Sequence, residues 1–300
     1  MGNGIFNRQC RKNNVIKVLA IKKLNQNAKS LVKLQIFMIA LPIMVATLLV
    51  IIRNSNSEVA LIPPLLGFIV TITNFTLIFP KISKIRRKSA EINQSFDCHV
   101  LKLPWNNIKL DKIEFSEIKG YVDGDKNYEK VRPCYPAVID EVPLKVARII
   151  CQRRFLGGDG KVRTKFIQFV NVLMLISLCL SLVFAFANSL NIFQFLGNLL
   201  LPFLPAMIFT IKLVQDNSNS IKRSTMLKSR IELIWARILE RKCIDERLFL
   251  LALRIQDELF EKRKSDPVIL DYFYNKFSES LGSSPYSVEI MVKDYSSRVL

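Results

Sequence analysis

The chain has 300 residues, with 44 Lys and Arg against 25 Asp and Glu and a single histidine. One histidine excludes a histidine-rich metal site, and a conventional Ser-His-Asp triad from this chain alone would have to use His99. A net charge of +19 in a soluble protein would favour nucleic acid as a partner, so the distribution of the charge decides its meaning.

Three stretches of the chain contain no Asp, Glu, Lys or Arg. They run from Leu34 to Ile52, from Val59 to Phe79 and from Phe166 to Ile211. A helix needs roughly 20 apolar residues to cross a bilayer, so each of the first two stretches predicts one span. The third is about twice that length and predicts two spans joined by a short turn. We expect a mainly α membrane protein with four transmembrane helices in two hairpins.

The charged residues orient these spans. All basic residues except Arg53 fall on one side of the predicted membrane, and no acidic residue precedes Leu34. Lys and Arg near span boundaries are retained in the cytoplasm, so we expect both termini and the central segment to be cytoplasmic. The basic excess then sets orientation and contacts anionic lipid. We expect the lipid bilayer, and no nucleic-acid polymer, as a partner.

This topology divides the chain into five regions. We expect a basic cytoplasmic N-terminal segment, a first hairpin, a cytoplasmic insert, a second hairpin and a helical cytoplasmic C-terminal region. Their predicted bounds are residues 1–33, 34–79, 80–165, 166–211 and 212–300.

The insert has a mixed pattern. A basic stretch from Lys81 to Gln94 predicts a helix, and the alternation from Phe96 to Leu103 predicts a strand that Pro104 ends. The pattern between residues 106 and 128 fits a strand or a helix, and Leu144 to Phe155 predicts a helix. We therefore expect an α+β insert.

Two helices are predicted in the C-terminal region. Met226 to Leu239 and Asp245 to Lys264 each carry apolar residues at steps of three and four, and Asp266-Pro267 ends the second. Their apolar stripes can pack on each other, on the insert or on another subunit. Packing within the chain is favoured because no heptad pattern persists.

The sequence shows no strong catalytic or metal-binding motif. Gly157 to Lys161 lacks the spacing of a phosphate-binding loop and predicts a turn. The six cysteines have no C-x-x-C spacing, which indicates reduced thiols. Cys151 precedes Arg153 and Arg154, which could lower its pKa, but no base is near it in sequence. We expect no catalytic residue, no metal and no cofactor.

Polar but uncharged residues lie within the predicted spans. Their ordinary role is hydrogen bonding between helices. Alternatively, some of these polar residues line a water-filled pore in an oligomer. The candidates for lining a pore are Asn74, Gln168, Asn171 and Asn198.

Several segments, in this order along the chain, resemble signatures of the S-4TM pore-forming effectors. These are bacterial four-span proteins associated with nucleotidyltransferases that make cyclic oligonucleotide signals in anti-phage defence. The chain has Gly158 and Cys134 where that family often has Trp. The matching segments are Phe96-Asp-Cys-His-Val-Leu-Lys-Leu-Pro-Trp-Asn106, Tyr135-Pro136, Ala147-Arg-Ile-Ile-Cys-Gln-Arg153, Ile255-Gln-Asp-Glu-Leu-Phe-Glu-Lys-Arg263 and Asp271-Tyr-Phe-Tyr274.

The resemblance implies a homo-oligomeric effector of the bacterial inner membrane that senses a nucleotide second messenger from the cytoplasm and breaches the membrane. It also implies functional association with a nucleotidyltransferase. If a cyclic oligonucleotide binds, its phosphates need Arg or Lys and its bases need an aromatic face. The candidate ligand-binding residues are Trp105, Asn106, Arg153 and Arg154.

Two other functions share this topology. A constitutive ion channel or small-solute transporter would conduct without a messenger, although the two hairpins show no obvious internal repeat. A membrane-anchored cytoplasmic enzyme would have Cys151 as its most conspicuous nucleophile.

Overall fold

The computed structural model describes residues 2–52, 59–107, 110–122, 131–240, 245–279 and 287–299. These residues form α-helices with short 3-10 turns at Val59–Leu61 and Ala137–Glu141 and π turns at Asn74–Ile78 and Leu196–Leu200. The α-helices are α1 (Ile5–Gln9), α2 (Lys12–Ile51), α3 (Ile62–Thr73), α4 (Phe79–Leu101), α5 (Phe115–Gly120), α6 (Leu144–Arg154), α7 (Asp159–Ala187), α8 (Ile192–Phe195), α9 (Leu201–Leu239), α10 (Asp245–Ser265), α11 (Asp271–Glu279) and α12 (Val288–Val299).

Four helical stretches are long and apolar enough to cross a membrane, as the charge-free runs predict. They are Lys12–Ile51, Ile62–Leu101, Leu144–Ala187 and Ile192–Leu239. Large apolar side chains in these runs are exposed on the outside of the protein, which fits contact with lipid rather than water. The chain is therefore a multi-pass membrane protein. We call the charge-free runs the membrane half and the rest of the described residues the polar half.

In the membrane half, α3 packs against both α2 and α9, and α7 packs against α9. Gly67 of α3 faces α9 closely: a Cβ atom at this position would lie 3.4 Å from Cγ of Pro205. Small residues allow such close approach between membrane helices. The two expected hairpins are not separate units, because the contact between α3 and α9 joins the four spans into one bundle.

The expected α+β insert is wrong for the described residues, which contain no strand. The predicted strand from Phe96 to Leu103 is the last part of α4, which ends at Lys102 with a left-handed φ of 51°. The error has a physical cause. Phe96, Cys98 and Val100 alternate as in a strand, while Phe96, Val100 and Leu101 lie on one face of a helix, and all four are buried.

The polar half has one main apolar core, to which distant parts of the chain contribute. The C-terminal helices pack within the chain, where α10 contacts α4, α6 and α9. The N-terminal segment also enters this core through α1. Almost fully buried members are Ile5, Tyr135, Ile149, Ile231 and Leu259.

Candidate ligand-binding site

Asp97 of α4 lies at the centre of a buried polar network. Its Oδ2 accepts hydrogen bonds from Nε2 of Gln256 at 2.9 Å and from Nη1 of Arg263 at 2.6 Å. Only 1% of Asp97 is exposed. Removing one partner of such a buried charged pair is strongly destabilising, so these contacts fix α10 on α4.

Two further amides extend the network to α6. Nε2 of Gln256 also approaches Oε1 of Gln94 at 2.9 Å. Gln152 of α6 donates from Nε2 to Oε1 of Gln256 at 3.0 Å and to the carbonyl of Ala252 at 2.8 Å. Three helices from distant parts of the sequence therefore share one set of hydrogen bonds.

A second group of charges, which we call the ion cluster, consists of Asp159, Arg163, Lys262 and Asp266. Gly158 precedes α7 with a φ of 79°, and Asp159 is the first residue of that helix. Oδ2 of Asp159 accepts from Nε of Arg163 at 3.0 Å and from Nζ of Lys262 at 2.9 Å. Burial opposes ionisation of Asp159, but these two cations outweigh it and lower its pKa.

The ion cluster is joined to the helices that enter the membrane half. Nη1 of Arg163 donates to Oδ1 of Asn217 on α9 at 2.8 Å and to the carbonyl of Pro267 at 3.0 Å. Arg163 lies just before the charge-free run of α7, and Asn217 lies just after that of α9. The cluster thus connects α10 to the ends of the third and fourth spans.

Between the polar network and the ion cluster lies a cavity of about 300 Å³, which we call the basic pocket. Arg154, Lys262 and Arg263 line it, together with the rings of Phe155 and Tyr274. The volume is at the lower end of the range for small-molecule sites.

Arg263 has donor capacity that its contact with Asp97 does not use. Its guanidinium carbon lies 4.5 Å from the ring centroid of Phe155. Nη2 of Arg263 is buried and has no hydrogen-bond partner among the described residues. Arg154 is exposed at the same pocket. The pocket therefore offers guanidinium donors beside an aromatic face, which is the chemistry that suits a nucleotide phosphate and base.

The four ligand-binding residues predicted from the sequence are not brought together. Arg154 lines the basic pocket, whereas Arg153 is 2% exposed and its Nη2 contacts Oε1 of Glu232 at 2.8 Å. Trp105 donates from Nε1 to the carbonyl of Leu110 at 3.0 Å, away from the pocket. Asn106 donates to Oδ2 of Asp257 at 3.1 Å. A ligand-binding role for these residues stays a prediction.

The predicted pore-lining residues also occupy different environments. Asn74 begins the π turn of the second span and is 4% exposed, and its Oδ1 has no partner among the described residues. Asn198 lies in the π turn before α9 and is half-buried. Gln168 and Asn171 are exposed on α7. Their role in a pore stays a prediction.

Cys151 does not have the environment of a reactive thiol. It is fully buried in the main core, and burial raises the pKa of its thiol well above the ordinary value. A nucleophilic cysteine needs the opposite shift and access to substrate. The imidazole of His99 contacts another side chain, with Nδ1 2.9 Å from Oδ1 of Asn14.

Sequence reasoning missed the polar network and most of the ion cluster. One usable signal was present: Gln256 and Arg263 are seven residues apart, so they share the helix face that carries the apolar stripe of α10. A polar residue on an apolar stripe indicates a buried partner. The identity of that partner, Asp97, is not visible locally because the two positions are far apart in sequence.

Comparison with known proteins agrees with the four-span architecture. The family model described as SMODS-associating 4TM effector domain matches residues 3–284. Comparison with curated proteins and with solved structures gave no match. The family match covers nearly the whole chain and is the family that the sequence motifs resemble. The chain therefore belongs to the family of SMODS-associating 4TM effectors.

Proposed function

We propose that this protein is a pore-forming effector of the bacterial inner membrane that acts in anti-phage defence. Its trigger is a cyclic oligonucleotide made by an associated SMODS nucleotidyltransferase. Both termini and the polar half face the cytoplasm, consistent with the basic residues on that side. The protein works by binding and conformational change rather than by catalysis.

The observation that carries this proposal is the position of the basic pocket. Arg154 and Arg263 offer donors to a phosphate group, and Phe155 and Tyr274 offer aromatic faces to a base. Lys262 belongs both to this pocket and to the ion cluster. A ligand in the pocket therefore contacts a residue that holds α10 to α7.

A messenger changes the resting arrangement only if it binds another arrangement more tightly. Its phosphates compete with Asp97 for Arg263 and with Asp159 for Lys262, because both carboxylates now hold those cations. When these contacts exchange, α10 is released from α4 and from the end of α7. The spans are then free to repack and to associate with those of other copies.

In the oligomer, the exposed polar residues of α7 supply a surface for water. Gln168 and Asn171 lie outside the bundle of a single chain, where lipid is a poor partner for their amides. Association of several copies gives these amides polar neighbours and a water path. The homo-oligomer is therefore part of the proposal.

The test is leakage of a dye from liposomes that contain the full-length protein, with and without a panel of cyclic di- and trinucleotides. We expect leakage that depends on one of these nucleotides. Arg154→Gln should raise the nucleotide concentration for half-maximal leakage by about tenfold, the effect of losing one charge-assisted contact. Arg247→Gln is the matched control, because Arg247 is an exposed arginine of α10 outside the pocket.

Other outcomes identify the alternatives. Leakage at full rate without any nucleotide would indicate a constitutive channel or transporter. No leakage with any nucleotide, from protein shown to be folded and inserted, would contradict a pore gated by these messengers and return weight to an anchored enzyme. Equal responses of Arg154→Gln and Arg247→Gln would remove the basic pocket from the mechanism.

A further inference from the structure

A second cavity, of about 390 Å³, lies where the membrane half meets the polar half, and we call it the boundary cavity. Gln35 of α2, Arg86 of α4 and Lys212 of α9 line it. Gln35 is near the start of the first charge-free run, and Lys212 directly follows the last one. The cavity is therefore at the depth where lipid headgroups meet the protein.

Several hydrogen-bond donors on residues that line this cavity have no partner in the described part of the chain. Gln35 is 1% exposed, and its Nε2 has no hydrogen-bond acceptor among the described residues. The same is true of Nε and Nη2 of Arg86, both of which are buried. Leaving a buried donor unpaired costs free energy, and a charged donor costs more than a neutral one. An acceptor that entered the cavity would satisfy these donors.

The charge of the cavity points to an anion. Burial lowers the pKa of Arg86 below its ordinary value, although the carboxylates of Asp266 and Asp216 oppose this effect. Nζ of Lys212 lies 3.4 Å from Oδ2 of Asp216. Asp216 is thus already engaged with one cation, and it does not hydrogen-bond the free guanidinium nitrogens of Arg86.

One wall of the cavity is apolar and belongs to the spans. Phe75 and Phe79 come from the second span and its end, and Phe209 comes from the fourth. An inorganic anion has no apolar surface to bury against these rings. A ligand with a phosphate at one end and hydrocarbon at the other matches both parts of the cavity.

We infer that the boundary cavity binds a phospholipid, with the headgroup phosphate on Arg86 and Gln35 and the acyl chains along the phenylalanine wall. The guanidinium edge of Arg86 presents the fork of donors that pairs with two phosphate oxygens. Gln35 donates to the same group, and Lys212 adds positive charge. This site lies outside the basic pocket and does not depend on a nucleotide messenger.

The test uses the full-length protein in detergent micelles and native mass spectrometry. The protein is titrated with dioleoyl phosphatidylglycerol, with dioleoylglycerol, which has the same chains and no phosphate, and with inorganic phosphate. We expect retention of phosphatidylglycerol and at least about tenfold weaker binding of the other two probes.

Variants locate the binding. Arg86→Gln should weaken phosphatidylglycerol binding by about tenfold or more, and Gln35→Leu should weaken it by about threefold. Arg87→Gln is the matched control: it removes the same charge from the next position of α4, where the side chain is 62% exposed and pairs with Glu91. We expect its binding to equal that of the unaltered protein.

Three results would overturn the inference. Dioleoylglycerol bound as tightly as phosphatidylglycerol would show that no phosphate is recognised. Inorganic phosphate bound as tightly as the lipid, and weakened by Arg86→Gln, would show a site for a free anion. Unchanged lipid binding in Arg86→Gln and Gln35→Leu would place the lipid elsewhere. If Arg86→Gln does not fold, the binding of the three probes to the unaltered protein and to Gln35→Leu still tests whether the boundary cavity binds a phospholipid.

Discussion

The polar half and the membrane half are held together by different interactions. In the polar half, buried charges are matched across helices at two places, Asp97 with Arg263 and Asp159 with Lys262, whereas Arg86 at the boundary keeps two unpaired nitrogens among the described residues. In the membrane half, the spans meet through apolar surfaces and through the close approach at Gly67. Its buried Asn74 keeps an unpartnered Oδ1 among the described residues.

This difference affects how many alternative helix arrangements each half can adopt. Matched buried charges tolerate few alternative arrangements, because each alternative leaves a charge without a partner. Apolar contacts between spans in lipid have no hydrophobic driving force and are easily exchanged for others. We therefore expect the polar half to fix the arrangement of the helices and the membrane half to be the part that repacks more easily.

Breaking the polar network should have the largest effect on stability. Asp97→Ala leaves the guanidinium of Arg263 buried without its carboxylate and removes one of the two acceptors of Gln256. We expect a loss of about 3–5 kcal/mol in the free energy of unfolding. The measurement is the unfolding of the full chain in detergent, followed by far-UV circular dichroism against denaturant.

Asp294→Ala is the control for this variant. Asp294 pairs with Arg298 at 2.8 Å on the surface of α12, and such pairs contribute less than about 1 kcal/mol. Similar losses from both variants would contradict the special role of the network at Asp97.

Crowding the contact between α3 and α9 should have a smaller effect. Gly67→Leu places a side chain against Pro202 and Pro205, where a Cβ atom alone already reaches ordinary contact distance. We expect a loss of about 1–3 kcal/mol. Gly67→Ala fits the available space and is the control. Thermal unfolding in the same detergent distinguishes them, and equal midpoints would show that this contact is looser than the structure indicates.

The smallest predicted effect is a pH dependence carried by the ion cluster. The pKa of Asp159 is lowered in the folded protein, so its contribution is fully present above the unfolded pKa of about 3.9 and is lost as pH falls through the lower folded value. We expect Asp159→Asn to cost about 1 kcal/mol at pH 7.

The measurement is the thermal midpoint of both proteins between pH 7 and pH 3. The difference between the two midpoints should begin to shrink below about pH 4, because the unfolded chain then binds a proton that the folded carboxylate does not yet bind. A constant difference across this range would show that the charge of Asp159 does not cause the stabilisation. Asp111→Asn, a change at an exposed acid, is the control.

The elements that the sequence predicted best are those whose signals are local. The three charge-free runs, of which the third predicts two spans, correspond to the four membrane-crossing stretches because length and apolarity alone decide that outcome. The predicted helix from Asp245 to Lys264 is α10, Asp245–Ser265, since its stripe has helical period and Asp266-Pro267 ends it.

Other features depend on contacts that no local pattern contains. The short apolar run from Phe96 to Leu103 fits both a strand and a helix, and the packing of α4 against other helices, among them α2 and α10, favours the helix. Of the predicted ligand residues, the structure places Arg154 at the basic pocket, while its partners Lys262 and Arg263 come from α10. In the sequence alone, charged residues near the end of a helix look like residues of a solvent-exposed face, because their partners on other helices are not known.

The helix α9 gives the protein a mechanical property. After Pro205 it contains neither proline nor glycine, and Arg163 clamps it at Asn217. The helical stretch to which α9 belongs continues to Ile192. At 1.5 Å per residue, about 33 Å of helix extends from this clamp to Leu239 and about 38 Å extends to Ile192. The contact at Asn217 therefore divides the stretch into two arms of similar length, so a tilt of the polar arm about this point would produce a displacement of similar size at the membrane end.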